Sequence, residues 1–285
     1  MRFLFVESET VQERQERRAS VGKSAGESFA ATLRDLVPDC ETQLVEPGDG
    51  DARQMSAGDI DRFDAVFLGG SPLHLYEHSP EVRRQLDFMR SIFASGTPSF
   101  GSCAGLQIAA AAAGGQVRPI TGSREAGIAR RIIRAPDAGD HPLLSGRPLI
   151  WDAATIHGDE VAQLPPRSRV LATNAAGQVN AVEIYHDRGI FWGVQYHPEL
   201  SPGEIGAALR RSADMLQDEG LARDRDDVEA QAELFARLEQ VPDDLAAQWR
   251  LGVNEEYAEQ RRRRRELCNF LEEITVLRER GSRKS

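Results

Sequence analysis

A cysteine lies between a predicted strand and a predicted helix in residues 99–107 (SFGSCAGLQ). We expect the strand to end at Gly101. Cys103 follows two residues later, ahead of Gly105 and of an alanine-rich helix over residues 104–113. This is the layout of a nucleophile elbow, in which small residues allow a sharp turn that exposes the reactive side chain. The positive end of a helix dipole also favours a thiolate over a thiol. The segment therefore predicts a cysteine nucleophile.

A second polar cluster ends a predicted strand much later in the chain, in residues 192–199 (WGVQYHPE). A cysteine nucleophile needs a nearby base, and the base needs an acceptor on its other ring nitrogen. His197 can be that base and Glu199 the orienting acceptor, because Pro198 stiffens the turn that carries them both. Each cluster by itself would also suit a buried structural thiol or a satisfied histidine. Together they favour catalysis.

A pair of glycines, Gly69 and Gly70, comes directly after another predicted strand. Glycines allow the backbone to approach a ligand closely, so the N–H group of Gly70 can face a developing oxyanion. Ala104 begins the helix after the cysteine, and its N–H group has no intrahelical acceptor. The sequence therefore predicts an oxyanion hole made by Gly70 and Ala104, although most glycine turns are only turns.

Three segments occur in an order that indicates a known family. Residues 101–107 (GSCAGLQ) match the pattern G-x-C-x-G-x-Q, and residues 195–199 (QYHPE) match Q-[FY]-H-P-E. Residues 156–161 (IHGDEV), with Leu164 and Pro165 after them, are similar to S-H-G-D-x-V…L-P. The first two patterns are those of the class I glutamine amidotransferases, and the third is that of the amidotransferase part of GMP synthetases. The resemblance spans roughly residues 1–205.

This resemblance implies a flavodoxin-like α/β domain that hydrolyses the side-chain amide of glutamine through a thioester on Cys103. It implies that His197 moves the protons, that Glu199 holds His197, and that Gly70 and Ala104 bind the oxyanion. The substrate-binding residues that it implies are Gly69, Gln107, His157 and Asp159. The side chain of Asp159 could instead only cap a turn.

The elbow departs from the family's pattern at two positions. Ser102 occupies a position where members commonly carry an apolar residue, and Ala104 one where a larger residue is frequent. Neither change removes a catalytic group, but the small Ala104 would leave more room in the pocket. His74 and Tyr76 follow the glycine turn and could line the site, although ordinary loop chemistry explains them equally well.

Strand and helix patterns alternate through the part of the chain that carries these motifs. We expect strands at residues 2–7, 43–46, 65–69 and 98–101, helices at residues 28–36, 80–94 and 202–217, and β-rich segments between 115 and 193. This predicts an α/β fold with a mostly parallel sheet flanked by helices and an antiparallel extension. We expect the family domain to cover residues 1–220. Residues 221–285 are predicted to be an α-helical C-terminal extension of two or three helices.

Composition excludes several classes of partner. The 285 residues carry a formal net charge of −10, which argues against nucleic acid or an anionic membrane, because both reward a basic surface. No apolar run approaches the roughly 18 residues of a membrane span, and we expect a cytoplasmic protein. Its three cysteines are far apart and are expected to be free thiols. We expect neither a metal nor a cofactor.

No nucleotide-binding motif such as GxxxxGK[ST] or SGGxDS accompanies these residues. The expected function is therefore a glutamine amidotransferase or glutaminase that releases ammonia for a separate synthetase subunit. One alternative is a stand-alone γ-glutamyl-amide hydrolase, and another is a non-catalytic regulatory or binding protein on the same scaffold. The C-terminal helices could dock the synthetase, form a homodimer, cap the active-site face or simply complete the core.

Overall fold

The computed structural model describes residues 1–52, 55–122 and 124–282. In chain order, the strands are β1 (Arg2–Val6), β2 (Glu41–Val45), β3 (Ala65–Leu68), β4 (Ser99–Ser102), β5 (Gln116–Pro119), β6 (Glu125–Arg134), β7 (Ile150–His157), β8 (Asp159–Gln163), β9 (Ser168–Thr173), β10 (Val179–His186) and β11 (Gly189–Val194). The helices are α1 (Val11–Val21), α2 (Ala25–Leu36), α3 (Ala57–Ile60), α4 (Pro80–Ser95), α5 (Ala104–Ala112), α6 (Pro202–Arg211), α7 (Ala213–Asp218), α8 (Arg225–Gln240), α9 (Leu245–Leu251), α10 (Glu255–Ala258), α11 (Gln260–Arg263) and α12 (Arg265–Ser282).

A central sheet has the strand order β2-β1-β3-β4-β11-β10-β9-β6-β7. The strands from β2 to β11 pair in parallel, and those from β11 to β7 pair antiparallel. Strands β5 and β8 form a separate antiparallel ribbon. The order β2-β1-β3-β4 followed by a further parallel strand is that of flavodoxin-like folds. The expected α/β fold, with a central sheet flanked by helices and an antiparallel extension, is confirmed.

The parallel strands β1 and β3 are apolar because both of their faces are covered. On one face of the sheet, Phe5 and Phe67 pack against Phe29 of α2 and Phe270 of α12. A second hydrophobic core cluster packs other apolar residues of these strands against α4 and α5. A strand buried on both faces reads as a continuous apolar run, which explains why β1 (RFLFV) and β3 (AVFL) are recognisable in the sequence.

Helix α1 was not predicted, and its composition explains why. Its sequence, VQERQERRASV, has no apolar stripe, and the residues that it buries are Arg14 and Arg17. A capping box at Thr10 begins the helix, and an ion pair of 2.6 Å from Arg14 to Asp49 attaches it to the loop after β2. Periodicity finds helices that bury apolar faces, so it misses one attached by charge.

The prediction that residues 202–217 are helical is confirmed, and the structure divides them into two helices, α6 and α7, that meet at Ser212. The prediction of two or three helices near the C-terminus was wrong, because α8 to α12 form five segments. The last of these, α12, contributes Leu267, Phe270, Ile274 and Leu277 to the core cluster of the central sheet. In the described residues, no helix is both long enough and apolar enough to cross a membrane.

Candidate active site

Cys103 occupies the turn between β4 and α5, as the elbow pattern predicts. Its backbone is left-handed, with φ 51° and ψ −112°, and its N–H group donates to Val194 O of β11 at 2.9 Å. A Cβ atom at Gly105 would lie 2.6 Å from Leu68 O, so only glycine allows α5 to approach β3 this closely. Cys103 has a positive φ although it is not glycine, and a backbone held in this way stores about 1–3 kcal/mol of strain, as residues in functional sites often do.

His197 and Glu199 follow β11 and are also held by the sheet. The N–H group of His197 donates to Ala154 O of β7 at 2.7 Å, and its Nδ1 lies 2.7 Å from Glu199 Oε1. Because Glu199 occupies Nδ1, the other ring nitrogen remains for Cys103, whose charge acts on the imidazole. His197 is hydrogen-bonded to Glu199, and Cys103 Sγ lies 3.9 Å from Ile156 O, so the three residues predicted to be catalytic are neighbours in one cavity.

The charge of His197 follows from its neighbours. Burial disfavours the imidazolium, but the charges of Glu199 and Cys103 outweigh burial and raise the pKa of His197 to about 10. At neutral pH the ring therefore carries a proton that it can give to a leaving group.

Gly70 lies against both reacting side chains. A Cβ atom built on Gly70 would be 2.6 Å from His197 Cε1 and 3.5 Å from the Cβ of Cys103. Any side chain at this position would therefore displace the imidazole. This close approach brings the backbone of Gly70 beside Cys103, as a second oxyanion donor requires. Ala104 is the first residue of α5, so its N–H group has no acceptor within the helix.

One cavity of about 420 Å³ brings the predicted site residues together. It is lined by Gly69, Gly70, Cys103, Gln107, His157, Asp159, His197 and Glu199. Ala104 is not among the lining residues. The same cavity is also lined by residues of α1, α6 and α7, among them Arg17, Arg211 and Met215. Sequence analysis did not find this second part of the lining, because α1 carries no apolar pattern.

Three of the four predicted substrate-binding residues, Gln107, His157 and Asp159, form one hydrogen-bonded group. Gln107 Nε2 donates to Asp159 O at 3.0 Å and to Gln195 Oε1 at 3.2 Å. His157 Nδ1 donates to the same carbonyl at 3.0 Å, and its Nε2 lies 3.1 Å from Glu125 Oε2. Since both ring nitrogens of His157 are engaged, this residue can meet a substrate only through its backbone.

The carboxylate of Asp159 holds the loop after β3. His74 Nδ1 lies 2.7 Å from Asp159 Oδ2, and the Tyr76 hydroxyl donates to Oδ1 at 3.3 Å. Of these two loop residues, His74 also lines the cavity. The side chain of Asp159 therefore joins two loops at the edge of the site, which is more than capping its own turn.

Ser102 has a contact that sequence analysis missed. Its hydroxyl donates to Glu199 Oε1 at 2.8 Å, and Ser102 is fully buried. The same oxygen accepts from His197, whereas no described residue bonds the buried Oε2 atom of Glu199. The signal in the sequence was the serine itself, a polar residue at a position where the family pattern is apolar.

The C-terminal helices support both ends of the His197–Glu199 turn. Tyr196, just before the histidine, donates its hydroxyl to Glu266 Oε1 of α12 at 2.8 Å. Arg263 Nε donates to Leu200 O, just after the glutamate, at 3.1 Å. No local pattern could indicate these contacts, because the partners are more than sixty residues apart in the chain.

Among the described residues, 1–52, 55–122 and 124–282, no cluster of three or more His, Cys, Asp or Glu side chains is arranged to hold a metal ion.

Comparisons with known proteins indicate the family and the fold. The model of the family "Glutamine amidotransferase class-I" matches residues 21–213. A γ-glutamyl-L-1-hydroxyisopropylamide hydrolase from a Pseudomonas species is 36% identical over 224 residues, which are 77% of this chain and 75% of that protein. A GMP synthase from Thermomicrobium roseum is 32% identical over 149 residues, which are 52% of this chain but only 25% of that protein. The crystal structure of a glutamine amidotransferase from Thermotoga maritima has a TM-score of 0.65 at 18% identity and covers 96% of this chain and 97% of that one.

Proposed function

Since this chain belongs to the class I glutamine amidotransferase family, we propose that it hydrolyses the γ-glutamyl amide of a small amine. The observation that supports this proposal best is the cavity of about 420 Å³, which is lined by Cys103 and His197 and also by residues of α1, α6 and α7. A molecule the size of water, and hence ammonia, needs only about 30 Å³. The cavity therefore has room for a γ-glutamyl group together with a substituted leaving amine.

In the proposed reaction, the Cys103 thiolate attacks the γ-carbonyl carbon and forms a tetrahedral oxyanion near the N–H groups of Gly70 and Ala104. His197 gives its proton to the amide nitrogen, the C–N bond breaks and the amine leaves. The γ-glutamyl thioester remains on Cys103. His197, held by Glu199, then takes a proton from water, which attacks the thioester and releases glutamate and the thiolate.

The relatives support the same choice. The amide hydrolase matches this chain over three quarters of its own length, whereas the match to the GMP synthase covers a quarter of that enzyme. An activity that a relative performs within the shared region transfers more readily than one that requires unmatched parts of the relative. The substrate of the hydrolase is a γ-glutamyl amide, as its name states.

The test is the release of glutamate by the purified chain from a panel of glutamine, γ-glutamylmethylamide, γ-glutamylethylamide and γ-glutamyl-2-hydroxypropylamide. We expect kcat/KM for the best substituted amide to exceed that for glutamine by at least about tenfold, the low end of what filling a pocket with one or two methylene groups achieves. A preference for glutamine over every substituted amide would contradict the proposal.

A second candidate function is an amidotransferase subunit that supplies ammonia to a separate synthetase. The match to the amidotransferase part of a GMP synthase favours it. On α9, Leu245 and Trp249 are 78% and 82% exposed and lie one helical turn apart, which offers an apolar surface to a partner or a second copy. This second function would be favoured if the purified chain released no glutamate from any compound of the panel while Cys103 still reacted with an alkylating agent.

Ser102 is expected to position Glu199 in the proposed reaction. Replacing Ser102 with alanine removes a hydrogen bond to a carboxylate, which costs about 1.5 kcal/mol, so kcat should fall about tenfold. KM should change little because Ser102 does not line the cavity. Steady-state kinetics on the best amide would measure both constants.

The matched control for this prediction is Ser99→Ala on the same strand. Ser99 is also buried, but its hydroxyl donates to the backbone oxygen of Ile190 rather than to Glu199. We expect kcat of this variant to stay within about twofold of the wild type. Equal losses of kcat in the two variants would show that Ser102 acts only through packing.

A further inference from the structure

Two arginines line the part of the cavity that sequence analysis did not find. Arg17 lies on α1, and Arg211 is the last residue of α6. They are close enough to repel each other: desolvation, and then the charge of Arg17, lower the pKa of Arg211. Two cations held together in a partly dehydrated wall are unfavourable unless an anion lies between them.

The hydrogen-bond donors of this pair are mostly unused. A guanidinium group has five N–H donors. Arg17 donates Nη2 to Glu204 at 3.3 Å, and its buried Nε has no acceptor among the described residues. Arg211 donates Nη1 to Ser20 Oγ at 3.0 Å, and no carboxylate in the described ranges forms an ion pair with it. The pair therefore retains both charge and donors for a ligand.

Nearby carboxylates compensate the pair only in part. Arg17 forms an ion pair with Glu204, and Glu9, Glu204 and Glu16 act to raise the pKa of Arg211, but burial and the charge of Arg17 outweigh them and that pKa is lowered. Glu13 accepts from Thr10 N at 2.7 Å, and Glu204 accepts from Ser201 N at 3.1 Å, so both take part in the capping boxes of their own helices. The negative charge of a carboxylate in the first turn of a helix is largely compensated by the positive end of the helix dipole. Glu16 also lines the cavity, but it is exposed and its charge is screened by solvent.

We propose that Arg17 and Arg211 form a subsite that binds a carboxylate of the substrate. Planar guanidinium groups suit a carboxylate because they offer paired, parallel N–H donors. The inference rests on the proposed function, since a γ-glutamyl substrate always carries the α-carboxylate of its glutamyl part. A γ-glutamyl amide of an amino acid carries a second carboxylate on the leaving amine. The subsite would recognise either carboxylate by the same hydrogen bonds, and a pair of substrates with and without the carboxylate on the amine distinguishes the two.

The experiment compares wild type, Arg211→Gln, Arg211→Lys and Arg17→Gln on γ-glutamylethylamide and γ-glutamylglycine, which differ by a carboxylate on the amine. Loss of a charge-assisted hydrogen bond should raise KM by roughly 10- to 100-fold and leave kcat within about threefold. Arg211→Lys keeps the charge and should lose less than Arg211→Gln. If the α-carboxylate is bound, KM rises equally for both substrates; if the carboxylate of the amine is bound, KM rises only for γ-glutamylglycine.

A second measurement does not require turnover. Glutamate and glutarate should protect Cys103 of the wild type against iodoacetamide, and Arg211→Gln should need at least about tenfold more of either ligand. Arg210→Gln is the matched control, because Arg210 is a neighbour on α6 that is bound by Glu229 and lies outside the cavity. Protection without hydrolysis of any amide would support the subsite and contradict the proposed function.

Two results would overturn the inference. One is the absence of protection in the wild type together with a KM for γ-glutamylglycine that does not change in Arg211→Gln. The other is a pair of variants, Arg211→Gln and Arg17→Gln, that stay within twofold of Arg210→Gln in both measurements.

Discussion

Replacing Cys103 with alanine is expected to reduce amide hydrolysis by about 10⁴-fold or more. The proposed reaction forms a thioester on this sulfur, and removal of a covalent nucleophile leaves only the binding and oxyanion contributions to the rate. The backbone at the elbow should be unaffected, because alanine tolerates the site at least as well as cysteine and the N–H contact of residue 103 with Val194 remains. The measurement is kcat/KM for the best γ-glutamyl amide.

Cys40→Ala and Cys268→Ala are the matched controls for this variant. Both thiols are partly buried, and desolvation raises the pKa of each, so neither is an activated nucleophile. We expect both controls to keep wild-type kcat/KM. Activity that survives in Cys103→Ala would rule out the proposed mechanism.

The same variant has an expected effect on titration. The charge of Cys103 is one of the causes that raise the pKa of His197 to about 10. Removal of a negative neighbour disfavours the imidazolium, so the pKa of His197 should fall in Cys103→Ala and stay unchanged in Cys40→Ala. Histidine ring signals followed by NMR against pH would measure it. An unchanged pKa of His197 would mean that the thiol and the ring do not interact.

Replacing Glu266 with alanine is expected to cost about 3 kcal/mol of unfolding free energy, because it removes the carboxylate that accepts two hydrogen bonds from a buried cation. Arg147 donates Nε to Glu266 Oε1 at 2.7 Å and Nη2 to Oε2 at 2.8 Å, and its side chain is 1% exposed. Glu256, bonded to Nη1 at 2.9 Å, and the carbonyl oxygen of Arg263 would remain as acceptors. Urea denaturation would measure the loss.

Arg225→Gln is the control for the loss of an ion pair as such. Arg225 pairs with Asp214 where the two side chains are 70% and 73% exposed, so its removal should cost less than about 1 kcal/mol. A cost of Glu266→Ala as small as that of this control would mean that α12 is only loosely attached to the rest of the molecule.

The effect of Glu266 should extend to activity. Its Oε1 atom also accepts from Tyr196, the residue before His197. In Glu266→Ala the tyrosine hydroxyl loses this acceptor, and the turn that carries His197 and Glu199 loses one support. We expect kcat of the folded variant to fall as well, under conditions where denaturation curves show it to be native.

Deletion of the C-terminal extension should have a still more severe outcome. The boundary at residue 220 remains a prediction, but α12 contributes Phe270, which packs on Phe67 and Phe100 of the central sheet. A chain that ends near residue 222 would expose this face of the sheet. The truncation therefore cannot test partner binding in isolation, whereas substitutions at the exposed Leu245 and Trp249 can.

The sequence alone determined the parts of the protein whose physical causes are local. The elbow depends on small residues that adjoin Cys103 in the sequence, so it could be recognised from one segment. His197 and Glu199 are two residues apart, so their contact of 2.7 Å could be expected from spacing. The buried parallel strands are apolar runs, and they were recognisable for the same reason.

Tertiary structure alone decided which distant polar groups meet. Ser102 reaches Glu199 across ninety-seven positions of the chain, and Tyr196 reaches Glu266 across seventy. Helix α1, which brings Arg17 to the cavity, is attached by charged contacts that leave no periodic signal. Apolar burial repeats along an element and can be read from one segment, whereas a buried hydrogen bond or ion pair depends on the position of both partners in the folded chain.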